Sequence, residues 1–243
     1  MQAPFVKHAV VYYDAVTDGG IDNTGSDDCV SDILAAVTAY KAAGKDGLYF
    51  PAGTYLLSST LPVPDGTALV GSGMTTAWLS GKVVFGSTSS FTDLKIGPSA
   101  AGVSGLANVD GGTDVSNLTF TDCEVERSLG TSWAGSNDPG ENTVSLYAQS
   151  NTIDTVTFDG CHFGVSNGTA TGAQRMMVEV WAAYGSGNVF SNITFTGCEF
   201  EASNIHQLNF SCYGPGMTGN PSGRGTYCTV EDCVFRGGGV NEF

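Results

Sequence analysis

The chain has 243 residues, 41% of them hydrophobic and 14% charged, with 34 glycines, enough apolar material for one sizeable core and a composition suited to a fold made largely of corners. Nine basic residues against 24 acidic ones leave a net charge of −15, which repels nucleic acid and anionic membranes and disfavours a polyanionic partner unless a divalent cation bridges. No apolar run reaches the roughly 20 residues of a membrane-spanning helix, so membrane insertion is not expected either.

Residues 1–8 lack the basic start and apolar centre of a signal peptide. The expectation is either exit from the cell by another route, such as lysis, or a leader already removed. Val10-Val-Tyr-Tyr13 reads as a first strand and is followed by a polar run from Asp14 to Asp28. Ser26, Asp27 or Asp28 is a candidate cap for a helix over Cys29 to Ala43. Val30, Ile33, Leu34, Val37 and Tyr40 recur there at helical spacing, and Gly44 ends the pattern. One amphipathic helix ahead of a strand-rich chain is suited to cap the open edges of the first strands.

Two strand-like stretches follow, Gly47 to Leu57 and Ala68 to Gly73. The run from Tyr13-Asp-Ala-Val16 through Ser26-Asp-Asp28 and a helix to Phe50-Pro-Ala-Gly-Thr-Tyr55 and Leu69-Val-Gly-Ser-Gly73 resembles the N-terminal module of the pectate-lyase-like superfamily. That superfamily includes the right-handed parallel β-helices of polysaccharide lyases, glycoside hydrolases and phage tailspikes. The resemblance covers about residues 11–73 and implies a fold and a glycan-related role without carrying a catalytic motif. It divides the chain into an N-terminal module, residues 1–73, and further coils over residues 74–243. Shorter apolar segments, Lys82 to Phe85, Asp93 to Ile96 and Gly105 to Val109, supply less regular early rungs.

The strongest signal is a repeat. Val115-Ser-Asn-Leu-Thr-Phe-Thr-Asp-Cys-Glu-Val125 returns at Ile153 to Phe163 and at Phe190 to Phe200, and a degraded copy runs from Thr229 to Phe235. The cysteines at 123, 161, 198 and 233 step by 38, 37 and 35 residues, a period that signifies stacked identical units. Within a unit apolar residues alternate, then slip phase between Phe120 and Cys123, which describes a strand, a two-residue corner and a second strand. Asp159-Gly160 and Thr196-Gly197 occupy the same corner. A polar, glycine-rich loop leads to a third apolar segment: Thr143 to Ala148, Met176 to Ala182 and His206 to Cys212. The predicted fold is all-β: a right-handed single-stranded parallel β-helix with three strands per coil and an N-terminal capping helix. A propeller or sandwich is the alternative, but the units show three strands rather than four and few hairpin turns.

The seventh cysteine makes the count odd. Four form the repeat column, where they read as small buried hydrophobes with poor disulfide geometry, and Cys212 and Cys228 are a candidate pair across a loop. No zinc spacing occurs and the three histidines are scattered, so neither a metal nor another cofactor is implied. Asn117, Asn167 and Asn192 stand in formal glycosylation sequons, but the equivalence of Asn117 and Asn192 favours a structural ladder. The sequence reaches Val240 to Phe243 where another third strand would begin, and the expectation is a longer polypeptide or an end covered by another subunit.

In such a stack only outward side chains and loops are free to act. The resemblance points to the third strand of each coil and the loop before it. Outward positions there are Ser145 and Tyr147, then Glu179 and Trp181, then Asn209, with Glu141, Arg175 and His206 at loop edges and Glu242 beside Asn209. Glu179, Glu141 and Glu242 are the candidate catalytic carboxylates, because glycoside hydrolysis uses a carboxyl pair. Tyr147, Arg175, Trp181, His206 and Asn209 are candidate substrate-binding residues, the aromatics suiting sugar faces. Glu124, His162 and Glu199 form a second outward row that either binds a metal, titrates, or is a solvated ladder. The readings carried forward are a tailspike-like virion protein, usually a homotrimer, that binds or cleaves a host polysaccharide; a secreted hydrolase or lyase; and a non-catalytic adhesin or spike. All three place the protein in a virion or outside the cell.

Overall fold

The computed structural model describes residues 9–97, 106–108, 114–128, 143–148, 151–166, 178–182, 189–201, 208–212 and 228–236. The chain winds in successive coils. The first contains β1 (Tyr12–Asp14), β2 (Thr24–Asp28) and α1 (Val30–Ala42); the second β3 (Gly47–Phe50), β4 (Gly53–Leu56) and β5 (Leu61–Pro62). The third contains β6 (Ala68–Gly71), β7 (Ala77–Ser80) and β8 (Val83–Phe85), and the fourth β9 (Ser90–Thr92), β10 (Lys95–Gly97) and β11 (Leu106–Asn108). The repeats then supply β12 (Val115–Thr121), β13 (Glu124–Ser128) and β14 (Val144–Ala148), followed by β15 (Thr152–Asp159), β16 (His162–Ser166) and β17 (Val178–Ala182). β18 (Val189–Thr196), β19 (Glu199–Phe200) and β20 (Leu208–Cys212) make the next coil, and β21 (Cys228–Glu231) with β22 (Val234–Phe235) open another.

Each strand pairs with its counterpart one coil away, and every pairing is parallel. The first sheet runs β1-β3-β6-β9-β12-β15-β18-β21, the second β2-β4-β7-β10-β13-β16-β19-β22, and the third β5-β8-β11-β14-β17-β20. This is a parallel β-helix, wound in the right-handed sense that parallel crossovers take. Each coil lies about 4.8 Å above the last. The helix α1 follows β2 where the third strand of the first coil would come, and its own Ile33, Ala36, Val37 and Tyr40 are its buried face. The Tyr40 hydroxyl accepts a hydrogen bond from Ala68 N at 2.9 Å, tying the helix to the third coil.

Repetition in sequence becomes columns in space. Phe91, Phe120, Phe158 and Phe195 stack at ring separations of 4.8, 4.7 and 4.9 Å, and Phe163, Phe200 and Phe235 at 4.8 and 4.7 Å. A buried phenylalanine stabilises by about 1.5–3 kcal/mol, and stacked rings add about 0.5–1.5 kcal/mol per pair. Cys123, Cys161 and Cys198 are buried, and each thiol above the first donates to a carbonyl of the coil below: Cys161 to Phe120 and Cys198 to Phe158, both at 3.4 Å. Cys161 is pushed up first by its hydrogen bond with the Cys123 thiol, and Cys198 first by Cys161 and then by burial. Cys161 and Cys198 therefore stay protonated, and all three are free thiols, the small-hydrophobe role the repeat implies. Cys228 is also free, so it makes no bridge to Cys212.

The corner between the first and second sheets explains the alternation of Asp and Gly. Asp93, Asp122 and Asp232 have φ of 53°, 48° and 52°, and Gly160 and Gly197 have 62° and 61°. All lie two residues after the stacked position, in the left-handed region that Gly and Asp enter most readily. A second such column runs through Thr88, Asn117, Thr155 and Asn192, with φ between 53° and 60°. Pairing between β12 and β15 skips Asn117 and Thr155, so these residues bulge from the first sheet. The two equivalent sequon asparagines are thus structural: Asn192 donates to Asp154 Oδ1 at 2.9 Å, beside Ser191 Oγ at 2.5 Å. Asp154 is held below the usual carboxylate range by Ser191 first, then by Thr155 and Asn192. Asn167 lies outside the described residues.

Local readings of the N-terminal coils need correction. The polar run before the helix contains β2, which pairs with β4 on the second sheet. Ser26, Asp27 and Asp28 belong to that strand, and Cys29 occupies the cap position without a side-chain hydrogen bond, while the Asp28 carboxylate accepts the Val30 N–H that opens α1. Asp28 Oδ1 also accepts Ser58 N–H at 2.9 Å. The Asp28 side chain thus serves the helix start and the neighbouring coil at once. The short strands β5, β7 and β9 also carry too few residues to show a period of their own.

Candidate functional site

On the third sheet, parallel in-register pairing sets Ser145 beside Glu179 and Glu179 beside Asn209, while Tyr147, Trp181 and Ser211 form the next row. These positions alternate with Val144, Leu146, Ala148, Val178 and Val180, all buried in the core. Glu179 and Asn209 are thus backbone register partners one coil apart, as are Tyr147 and Trp181, and the side chains of these four lie outside the described part of the structure. Ser145 departs from the expectation of an outward solvated position: it is 2% exposed, and its hydroxyl has no hydrogen-bond partner. Glu141, Arg175, His206 and Glu242 lie outside the described residues.

The second sheet carries a longer row. Glu124, His162 and Glu199 are register partners, as the repeat implies. Trp78 and Lys95 continue that row downward, and Glu126, Glu201 and Arg236 stand in the adjacent outward row. Lys95 Nζ lies 2.9 Å from Glu126 and 3.1 Å from Glu124, and 5.3 Å from the centre of the Trp78 ring. Higher up, His162 Nε2 is 3.5 Å from Glu201, and Arg236 is paired with Glu199. Gly164 leaves the space for the His162 pair: a Cβ there would stand 3.2 Å from the imidazole and 3.3 Å from the Glu201 carboxylate.

These contacts set the charges. Half-burial raises Glu126, and its hydrogen bond with Glu124 raises it further, against the opposing pull of Lys95. Burial draws Lys95 down, but its hydrogen bonds to Glu126 and Glu124 outweigh that and hold it charged. Arg236 lowers Glu199. Among the described residues no group of three or more His, Cys, Asp or Glu gathers closely enough to hold a metal ion. The Glu-His-Glu row therefore reads as an ion-paired ladder.

Sequence reasoning missed Trp78, Lys95, Glu126, Glu201 and Arg236. Glu126 and Glu201 stand two residues beyond Glu124 and Glu199, so strand alternation alone would have placed them on the same face. Lys95 and Trp78 belong to coils whose sequences carry no visible repeat.

A family model described as rhamnogalacturonase A/epimerase, pectate lyase-like, matches residues 14–241. No curated protein matches the sequence. Among solved structures, the surface protein and adhesin PfbA of Streptococcus pneumoniae superposes with a TM-score of 0.57 at 16% identity, over 82% of this chain and 63% of that one. The Dettilon tailspike protein gp208 superposes with a TM-score of 0.50 at 12% identity, over 83% of this chain and 47% of that one. The chain spans less than two thirds of either protein's length, and at these identities the likeness is one of fold.

Proposed function

This chain belongs to the rhamnogalacturonase A/epimerase, pectate lyase-like family, and from that premise we propose that it is a tailspike-like receptor-binding protein recognising a host cell-surface polysaccharide. The observation that carries the proposal is the third-sheet register, which sets Tyr147 beside Trp181 and Glu179 beside Asn209 at one-coil spacing. Two aromatic residues at neighbouring coils suit adjacent sugar faces, and the carboxylate and amide suit their hydroxyls. The net charge of −15 favours a neutral polymer over an anionic one. Its expected setting is a virion or the extracellular space, as a homotrimer. The proposal also includes Glu141, Arg175, His206 and Glu242 as candidate site residues.

A second reading follows from the family's own description: a polysaccharide hydrolase or lyase in which Glu179 is a reacting carboxyl. Glycan-array binding by Trp181→Ala and Glu179→Gln, together with assays of sugar release, separates the readings. Binding that falls about tenfold in Trp181→Ala, with no product from the wild type, supports recognition alone. Product that disappears in Glu179→Gln supports the enzyme. Binding and release unchanged in both variants would remove the third-sheet site. Light scattering of the purified protein tests the trimer.

A further inference from the structure

The thiol column ends differently from how it begins. Cys123, Cys161 and Cys198 are at most 1% exposed, each with a paired coil above it and another below. Cys233 is the fourth member and lies one coil above Cys198, because the residues that follow them, Glu199 and Val234, are register partners. It is half-buried and immediately precedes β22, the last strand of its sheet among the described residues. Its surroundings are open as well: Val230 and Val234 are 40% and 49% exposed.

The two upper thiols are already in contact. The Cys198 and Cys233 side chains hydrogen-bond to each other, and the register sets their Cα atoms about 4.8 Å apart. That separation falls within the range of about 4.4–6.8 Å that a disulfide spans. What the inner pairs lack is room. A cysteine packed between two coils cannot turn its Sγ toward a neighbour that points the same way, and no oxidant reaches it. Cys233 is packed on one side only by the described residues. Its Sγ is also held more loosely, 3.6 Å from the carbonyl of Phe195 below, against 3.4 Å for Cys161 and Cys198 with theirs. Rotation about its Cα–Cβ bond meets no described side chain from above.

We infer that Cys198 and Cys233 form an oxidisable dithiol, a covalent staple between the last two described coils that a small-molecule disulfide closes. The more exposed member reacts first. The Cys233 thiolate attacks one sulfur of the reagent, the reagent S–S bond breaks, and one reagent thiol leaves with the proton that Cys233 gave up. The Cys198 sulfur then attacks the Cys233 sulfur of the mixed disulfide, and the second reagent thiol leaves with the Cys198 proton. Two protein thiols are oxidised and one reagent disulfide is reduced to two thiols. Cys198 never meets the reagent, so its burial does not bar the reaction. Burial does raise both thiols, which keeps them protonated and makes closure slow. The bond spans the 35-residue step between the two cysteines and restrains the coil most able to fray. It is independent of the glycan reading.

The test is prolonged incubation of the purified, reduced protein with oxidised glutathione, followed by peptide mapping without reductant and by hydrogen exchange. The wild type is expected to yield the Cys198 and Cys233 peptides joined, to release them on addition of dithiothreitol, and to slow exchange in β21 and β22 several-fold while oxidised. Cys198→Ser is expected to stop at a glutathione mixed disulfide on Cys233, and Cys233→Ser to leave Cys198 unmodified. A lasting mixed disulfide on Cys233 of the wild type, a bond from Cys233 to Cys228, or a Cys233 that stays reduced overturns the staple. The wild-type map decides the matter even where a serine variant fails to fold.

Discussion

Phe158 sits at the middle of the aromatic column and tests whether stacking of coils carries the stability. It is fully buried, stacked on Phe120 at 4.7 Å and Phe195 at 4.9 Å with interplanar angles of 11° and 5°, and edge-on to Phe163 at 5.5 Å. Truncating a buried phenylalanine to alanine costs about 3–5 kcal/mol through lost transfer energy and the cavity left behind. Two stacked neighbours and one edge-on neighbour place Phe158→Ala at the upper end, about 5 kcal/mol. Phe235 is the control: it is half-buried on the last described coil and stacks only on Phe200, at 4.7 Å. Its truncation should cost roughly half as much, about 2 kcal/mol. Urea unfolding followed by far-ultraviolet circular dichroism measures both. A midpoint that falls equally in the two variants, or a Phe158→Ala cost below about 2 kcal/mol, would refute the stack as the source of stability.

Three further outcomes are expected. Gly197 has φ of 61° with no heavy atom closer than 4.0 Å to an added Cβ, so Gly197→Ala should cost about 1–2 kcal/mol from backbone strain alone and Gly197→Asn less than half of that, measured by the same urea titration. Asp22 accepts N–H bonds from Asp27, Thr24 and Ser26, which lower it from the ordinary 3.8 to about 2. Its folded-state value lies below its unfolded one, so its stabilisation is fully present above 3.8 and is lost as pH falls through about 2. Melting temperature against pH should therefore fall more steeply in that window for the wild type than for Asp22→Asn. Finally, a thiol reagent under native conditions should leave Cys29, Cys123, Cys161 and Cys198 unmodified. Cys228 and Cys233, half-buried on the last described coil, should react slowly, because burial pushes Cys228 up to about 12 and raises Cys233. Rapid labelling of Cys123, Cys161 or Cys198 would mean that the column is not closed.

Much of this architecture is legible because a coil stack converts a period in sequence into a translation in space. Phe120, Phe158 and Phe195 share a position in the repeat, and pairing in register makes them neighbours. The third strands were found almost to the residue for the same reason: Val144, Val178 and Leu208 begin segments whose apolar alternation is plain. The row of Glu124, His162 and Glu199 was readable too, though not its ion pairs. Legibility failed where the period failed. Lys95 reaches Glu124 and Glu126 across 29 and 31 residues from a coil with no visible repeat, and nothing local in either segment announces the contact.

The sequence by itself determined the stack, its three strands per coil and the residues that line up within it, because one repeated pattern has only one way to bury every copy's apolar face. Tertiary structure alone decided the chemistry of the surface: which acids Lys95 binds, that Ser145 is covered, that Asp28 reaches Ser58 in the next coil. Core positions are selected by hydrophobicity, a property each residue carries with it. Side-chain pairing on the outside depends on which coil lies above and how the intervening loop returns, and a one-dimensional pattern does not encode those distances.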